Sequence, residues 1–229
     1  MLQSYHTAIK DLPFVLFVLG GFFILTIMFQ QSNYISIRLE QEIIPQVISI
    51  FGFTTFTLDG IKLLSLLAVE NTLLIVLLTS VTVKWMENKN KENIMYIGYI
   101  LFGVGSAVIA FSNHIGWLFI AMFVLTIGEL LFVPTRQTIL ADVVNDSKRG
   151  TYMAFNGFSM QIGKIIATLG IIVGEQIGGI GMSFTYIFLT ILGIGFTKLA
   201  MSKYQKNKLT KSDSHNFKNV THSKKVRVS

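Results

Sequence analysis

Six stretches of this chain are apolar over about 20 residues each, the length a helix needs to cross a hydrocarbon core of ~30 Å. They fall at 13–32, 61–83, 94–112, 117–140, 152–173 and 182–201. None shows the period-two alternation of a barrel strand, and backbone groups in lipid must bond within their own segment, so the pattern predicts helices. The fold class that follows is an all-α membrane protein with six transmembrane helices. Composition agrees. Of 229 residues, 52% are hydrophobic and 14% charged, too little polarity to cover a soluble domain of this size. The polar start, MLQSYHTAIKDLP, precedes an apolar run that ends in FQQSN without an A-x-A-like cleavage site. That run reads as a first membrane helix and not as a signal peptide.

The net charge of +7 is a property of the tail. From Lys203 onward there are eight Lys/Arg and one acid, whereas the residues before it hold eleven of each. A nucleic-acid partner is therefore not expected. The segment 203–229 has almost no apolar periodicity and is expected to be a disordered, solvated tail that fixes topology, with anionic lipid headgroups as an alternative contact. The loops KWMENKNKEN (84–93) and DVVNDSKRG (142–150) carry Lys and Arg, while NHIG (113–116) and GEQIGGIG (174–181) carry neither. By the positive-inside rule both termini are cytoplasmic, with 1–12 as a short cytoplasmic arm. Within the segment 33–60, residues 43–58 are apolar but short for a span, rich in β-branched residues and interrupted by Pro45 and Gly52. They read as an outer-face hairpin or interfacial cap, with a seventh span as the alternative.

Several chemistries drop out. With no cysteine there is no disulfide or thiolate site, and the four histidines (His6, His114, His215, His222) lie outside the apolar runs. Neither GxxxxGK[ST] nor a GxGxxG after a strand occurs, so neither ATP nor a dinucleotide is implied. No cofactor, metal site or catalytic centre is expected, and any work must draw on a gradient.

Charge inside the membrane is the informative feature. Glu70, Glu129, Arg136 and Lys164 all fall within proposed spans, where each costs a few kcal/mol or more and generally faces a bundle interior or a wet cavity. Glu129 and Arg136 are seven residues apart, hence on nearly one helix face, with Pro134 between them to free a carbonyl and favour a kink. Arg136 is either an inward charge or a snorkelling one. Glu129 is either a proton-handling group or half of a structural ion pair with Arg136 or Lys164. Lys164, near the middle of its helix, calls for a carboxylate, Glu129 or Glu70. Glu70, a second proton-coupling candidate beside Glu129, and Asn71 are candidates to line a substrate cavity, as are Gln30, Gln31, Gln161 and Lys164. A carboxyl that passes between dry and wet or paired surroundings changes its proton occupancy, which can couple protons to conformation. Gly163, Gly170, Gly174 and Gly178 form a small-residue stripe suited to close helix packing. Trp85 and Trp117 sit where interfacial anchors belong.

The stretch GELLFVPTRQTILADVVNDSKRGTYMAF (128–155) resembles the tenth helix and following loop of the drug:proton antiporter branch of the major facilitator superfamily. LLAVENTLLIVLLTSVTVKWMENK (66–89) is similar to that branch's eighth helix and loop, and KDLPFVLFVLGGFF to the start of its seventh. The likeness runs over about residues 8–203. It implies two inverted three-helix repeats forming half of a 12-helix transporter, with the first, second, fourth and fifth helices around a central cavity. It also implies proton-coupled export of small amphiphilic or cationic molecules across a bacterial plasma membrane, and gives Arg136, Asp142 and Arg149 structural or gating roles. The partners it implies are a small-molecule substrate, protons, the bilayer, and a separate N-terminal six-helix half or a second copy. The Gly and Asp of the superfamily's loop between its second and third helices have no counterpart in KWMENKNKEN. Proton-coupled peptide uptake and a six-helix scaffold or inactive fragment are the alternatives.

Overall fold

The computed structural model describes residues 8–50, 54–144 and 148–226. Most of the N-terminal arm, the middle of the 142–150 loop, the tip of the 43–58 segment and the last three residues lie outside them. Helix α1 (Leu12–Phe29) starts where Asp11 accepts the Phe14 N–H at 3.4 Å and Pro13 fits the first turn, which needs no donor there. A 3-10 turn over Gln30–Ser32 leads into the short α2 (Tyr34–Glu42), which stops ahead of Pro45. The described residues of 43–58 form strands and not a seventh span. Strands β1 (Gln46–Ile50) and β2 (Thr54–Leu58) pair antiparallel, from Gln46 opposite Leu58 to Ile50 opposite Thr54.

Three long helices follow: α3 (Gly60–Met86), α4 (Lys91–Phe111) and α5 (Ile115–Val143). Asp59 caps α3 through the Lys62 N–H at 2.9 Å, and Asn90 caps α4 through the N–H groups of Glu92 and Asn93. Helix α6 (Arg149–Val226) is two arms joined at Gly178, whose φ of 69° is open to glycine and strained for other residues. Its bends around that residue can be read from the packing on α1. Gly163 faces Phe22 and Thr26, Gly170 faces Gln30, and Gly174 faces Tyr34, so the first arm runs parallel to α1. Gly20 meets Thr197 and Ile24 meets Gly193, so the second arm runs antiparallel. The described residues thus form six long helical rods, and the glycine stripe seats the first arm on α1.

The second arm continues through Val226 where disorder is expected from composition; no Gly or Pro after Lys203 interrupts it. Helices α4 and α5 approach closely because glycines remove the side chains between them: a Cβ on Gly98 would lie 2.7 Å from the Phe132 nitrogen, and one on Gly105 as near the Ala121 carbonyl. Beside these contacts Phe132 packs edge-on against Tyr99 and Phe102, with ring centroids 5.3 and 5.2 Å apart.

The bundle has two distinct ends. At the terminal end the Tyr152 hydroxyl donates to Asp11 at 2.9 Å, Lys91 pairs with Asp142 at 3.7 Å, and Gln205 donates to Glu92 at 2.6 Å. At the hairpin end Arg38 of α2, only 3% exposed, donates to the carbonyls of Ile109 (2.8 Å) and Ser112 (3.1 Å) and to Asn113. Those carbonyls belong to the last turn of α4, which has no partners of its own and favours a cation.

Candidate functional site

Four intramembrane charges are brought near the bundle interior to very different degrees. Glu129, midway along α5, is half-buried and faces α3. Its carboxylate Oε2 accepts from Asn71 Nδ2 at 3.3 Å, and the same amide donates to Thr126 Oγ1 at 2.9 Å. The amide's orientation follows from its neighbours. Thr126 spends its own proton on the Met122 carbonyl at 2.8 Å, so its oxygen can only accept, and Asn71 must present its NH₂ group. Among the described residues no cation pairs with Glu129, and its side-chain partner is a neutral amide.

Beyond this triad, toward the terminal end, a cavity of about 250 Å³ opens between Ile75, Thr79 and Val83 of α3 and Glu129, Val133 and Pro134 of α5. Its walls are apolar apart from two threonine hydroxyls and the carboxylate. Pro134, one of its lining residues, lacks the N–H that the Leu130 carbonyl would receive. A carboxylate at the edge of a space large enough for several waters, with one amide partner, can exchange a proton without breaking an ion pair.

Arg136 does not snorkel. It is 4% exposed, donates from Nη2 to Asn156 Oδ1 at 3.0 Å, and its guanidinium carbon lies 5.6 Å from the Phe17 ring centre. Gly21 leaves the room it occupies. Arg136 therefore turns to α1 and α6 while Glu129 turns to α3, and the two do not pair although the heptad spacing puts them on nearly one face. Lys164 differs from expectation too. It is exposed, its ammonium sits 5.3 Å from the Phe29 ring centre, and no described carboxylate is within ion-pair distance. A cation over an aromatic face at the helix surface needs no carboxylate to be tolerated.

Glu70 is half-buried, with Oε2 shielded and without a hydrogen-bond partner. Gln30 is buried against Gly170 with its Oε1 unpartnered, Gln31 is half-buried, and Gln161 is exposed on the first arm of α6. Asp142 is held by Lys91, and its backbone carbonyl accepts from the Tyr204 hydroxyl at 2.8 Å; Arg149 is exposed at the start of α6. Thr126, Asn156 and Arg38 are polar anchors that sequence reasoning missed. Only Arg38 carries a local signal, the Arg38–Glu42 spacing of four residues.

Comparison with known proteins decides the family. The model of the Major Facilitator Superfamily matches residues 15–225. The chain belongs to that superfamily. With its long apolar helices, it is an integral multi-pass membrane protein. Among curated members it is 28% identical over 201 residues to a Na(+), Li(+), K(+)/H(+) antiporter of Planococcus maritimus, covering 87% of this chain and 47% of that protein. It is 29% identical to the uncharacterized MFS-type transporter YttB of Bacillus subtilis (strain 168), over 61% of this chain and 36% of that one. The third relative is Multidrug resistance protein MdtH of Shigella dysenteriae, 27% identical over 58% of this chain and 34% of that protein. The chain spans about half the length, or less, of the curated relatives it matches. Two crystal structures of POT family transporters share the fold at TM-scores of 0.60 and 0.61 and 19% identity. One holds 5-aminolevulinic acid and the other a thioalcohol-conjugated peptide; each match covers 89% of this chain and 42% of that chain.

Proposed function

We propose that this chain is one six-helix half of a proton-coupled antiporter, that Glu129 takes up and releases the coupled proton, and that the exported substrate is a small cation or amphiphile. The observation that carries this reading is the setting of Glu129: a carboxylate deep in a membrane helix, on an apolar cavity, with an amide and, among the described residues, no cation as its partner. Charge is retained at such a depth at a cost of a few kcal/mol, which a group that titrates in use justifies. Two relatives support antiport and export, one named for exchange of monovalent cations with protons and one for multidrug resistance. The structural likeness to peptide transporters extends to the fold alone, so peptide uptake gains no support from it.

In this reading both termini are cytoplasmic and the membrane is that of a bacterium. The exposed Gln161 and Lys164 meet a second six-helix half, while Glu70, Asn71, Gln30 and Gln31 are reached from the central cavity. Arg136, Asp142 and Arg149 hold or gate the helices from which the site is built.

The test uses vesicles containing this chain together with its complementary six helices, with a pH gradient imposed and efflux of a monovalent cation and of a lipophilic cationic dye followed in parallel. Proton-driven efflux is expected with Glu129 and is lost in Glu129→Gln at equal expression. Full proton coupling in Glu129→Gln removes the residue from the mechanism.

A further inference from the structure

Among the described residues, the buried residues of helix α3 and its hydrogen bonds to another helix lie at two levels. At the hairpin end its buried residues are Gly60, Leu63 and Leu67, with Gly60 pressed on the Leu39 carbonyl of α2. One turn on, Asn71 reaches across to Thr126 and Glu129 of α5. From Thr72 to Met86 no residue of α3 is buried, and the cavity below Glu129 separates that length from α5. More than half of a long helix thus extends from a pivot with only half-buried residues and a cavity on its inner side, and the last bond before the gap is made to an ionisable group.

We propose that Asn71 is the positioning residue through which the proton on Glu129 sets the angle of the free length of α3. The proposal rests on Glu129 being the titrating group of the antiporter described above. The ionised carboxylate accepts a charge-assisted hydrogen bond from the Asn71 NH₂, and such bonds are roughly twice as strong as neutral ones. Protonation removes the charge from the acceptor, so the bond that closes α3 on α5 weakens. Thr126 still holds the amide, which keeps the pivot in place while the length beyond it moves. The anchored hairpin end stays fixed, since its contacts with α2 involve no group near Glu129.

The charged groups around Glu129 leave Asn71 as the link. On α3, Glu70 precedes Asn71 and makes no hydrogen bond through its shielded Oε2. On α5 itself, Arg136 is committed to Asn156 of α6, and on α6 Lys164 sits over Phe29. Among the described residues none of these bonds to Glu129, so a change in its charge is felt first by the amide.

The chain contains no cysteine, so labels can be placed at will. Lys84 near the free end of α3 and Thr138 on α5 are both exposed. Spin labels on Lys84→Cys and Thr138→Cys of the full chain in lipid report the α3–α5 separation by pulsed electron resonance. Acidification is expected to move the distribution to longer distances, changing the ratio of the two populations roughly tenfold, equivalent to ~1.4 kcal/mol. In Asn71→Leu the distribution is expected to stay the same at every pH, and Asn71→Gln is expected to restore part of the response. Glu129→Gln is expected to be fixed at the acidic distribution, and it carries the test if Asn71→Leu does not assemble. A distribution in the unsubstituted protein that ignores pH, or a pH response that persists in Asn71→Leu, overturns the proposal. If Glu129→Gln abolishes coupled efflux while the distances never change, the Asn71 link fails and the antiport reading stands. If coupling survives in Glu129→Gln, the antiport reading is the one that fails.

Discussion

Replacing Arg38 with methionine is expected to loosen the hairpin end far more than neutralising its ion-pair partner. Methionine keeps most of the apolar stem, so the loss is mainly that of the guanidinium. Without it the carbonyls of Ile109 and Ser112, which accept from Arg38 at 2.8 and 3.1 Å, have no donor at the end of α4. Each orphaned buried acceptor costs ~1–3 kcal/mol, offset in part because a cation no longer has to be desolvated. The net loss is about 2–5 kcal/mol. For a chain of this length each kcal/mol shifts the melting temperature by ~2–4 °C, so a fall of roughly 10 °C is expected by thermal denaturation in detergent. Glu42 bonds to Arg38 at 3.1 Å, yet its side chain is 44% exposed against 1% for the arginine. An ion pair whose acid is that open to water contributes ~1 kcal/mol at most, so Glu42→Gln is expected to lower the melting temperature by less than about 4 °C. Equal losses in the two variants, or no loss in Arg38→Met, refutes the reasoning that the helix-end carbonyls and not the ion pair fix this corner.

Other substitutions probe the remaining joints. Gly178→Ala places a side chain at a φ of 69° and ψ of −179° with no atom within 4 Å, so backbone strain alone is expected to lower stability by ~1–3 kcal/mol. Gly195→Ala, also in open space but inside a helix, is expected to raise stability by ~0.5–1 kcal/mol in the same denaturation assay. Gly21→Ala puts a methyl where the Arg136 guanidinium lies, so it is expected to break the Arg136–Asn156 bond, and a second change of Arg136→Met is expected to recover the lost stability. The Asp59 carboxyl is held below its ordinary range chiefly by the Lys62 backbone N–H. A depressed acid stabilises above its unfolded pKa and loses that contribution as pH falls through the folded value. The stability gap between wild type and Asp59→Ala is thus expected at neutral pH and to shrink below about pH 4.

Helix positions were legible because membrane length and hydropathy depend on local sequence alone, and the β-branched residues and Pro45 of 43–58 likewise argued for a hairpin. Pairing was less legible. Spacing puts Glu129 and Arg136 on nearly one face, but a helix surrounded by neighbours can aim two such side chains at different helices, here Glu129 at α3 and Arg136 at α6. The mid-helix position of Lys164 calls for a carboxylate; packing of the first arm of α6 on α1 through Gly163 and Gly170 instead leaves it exposed beside Phe29. Asn71 reads from the sequence as a candidate to line a cavity, whereas its partners Thr126 and Glu129 lie 55 and 58 residues away and depend on how α3 crosses α5. Arg38 was overlooked because α2 is too short to stand out from a loop, although its i,i+4 acid marks a helical turn.

The most direct test of Glu129 as a proton carrier is infrared difference spectroscopy of the full chain in lipid as the pH is lowered. A carbonyl stretch of a protonated carboxyl group is expected to grow in the unsubstituted protein and to be missing from Glu129→Gln. The same band in both proteins, or no Glu129-dependent band at any pH, contradicts a titrating role for Glu129.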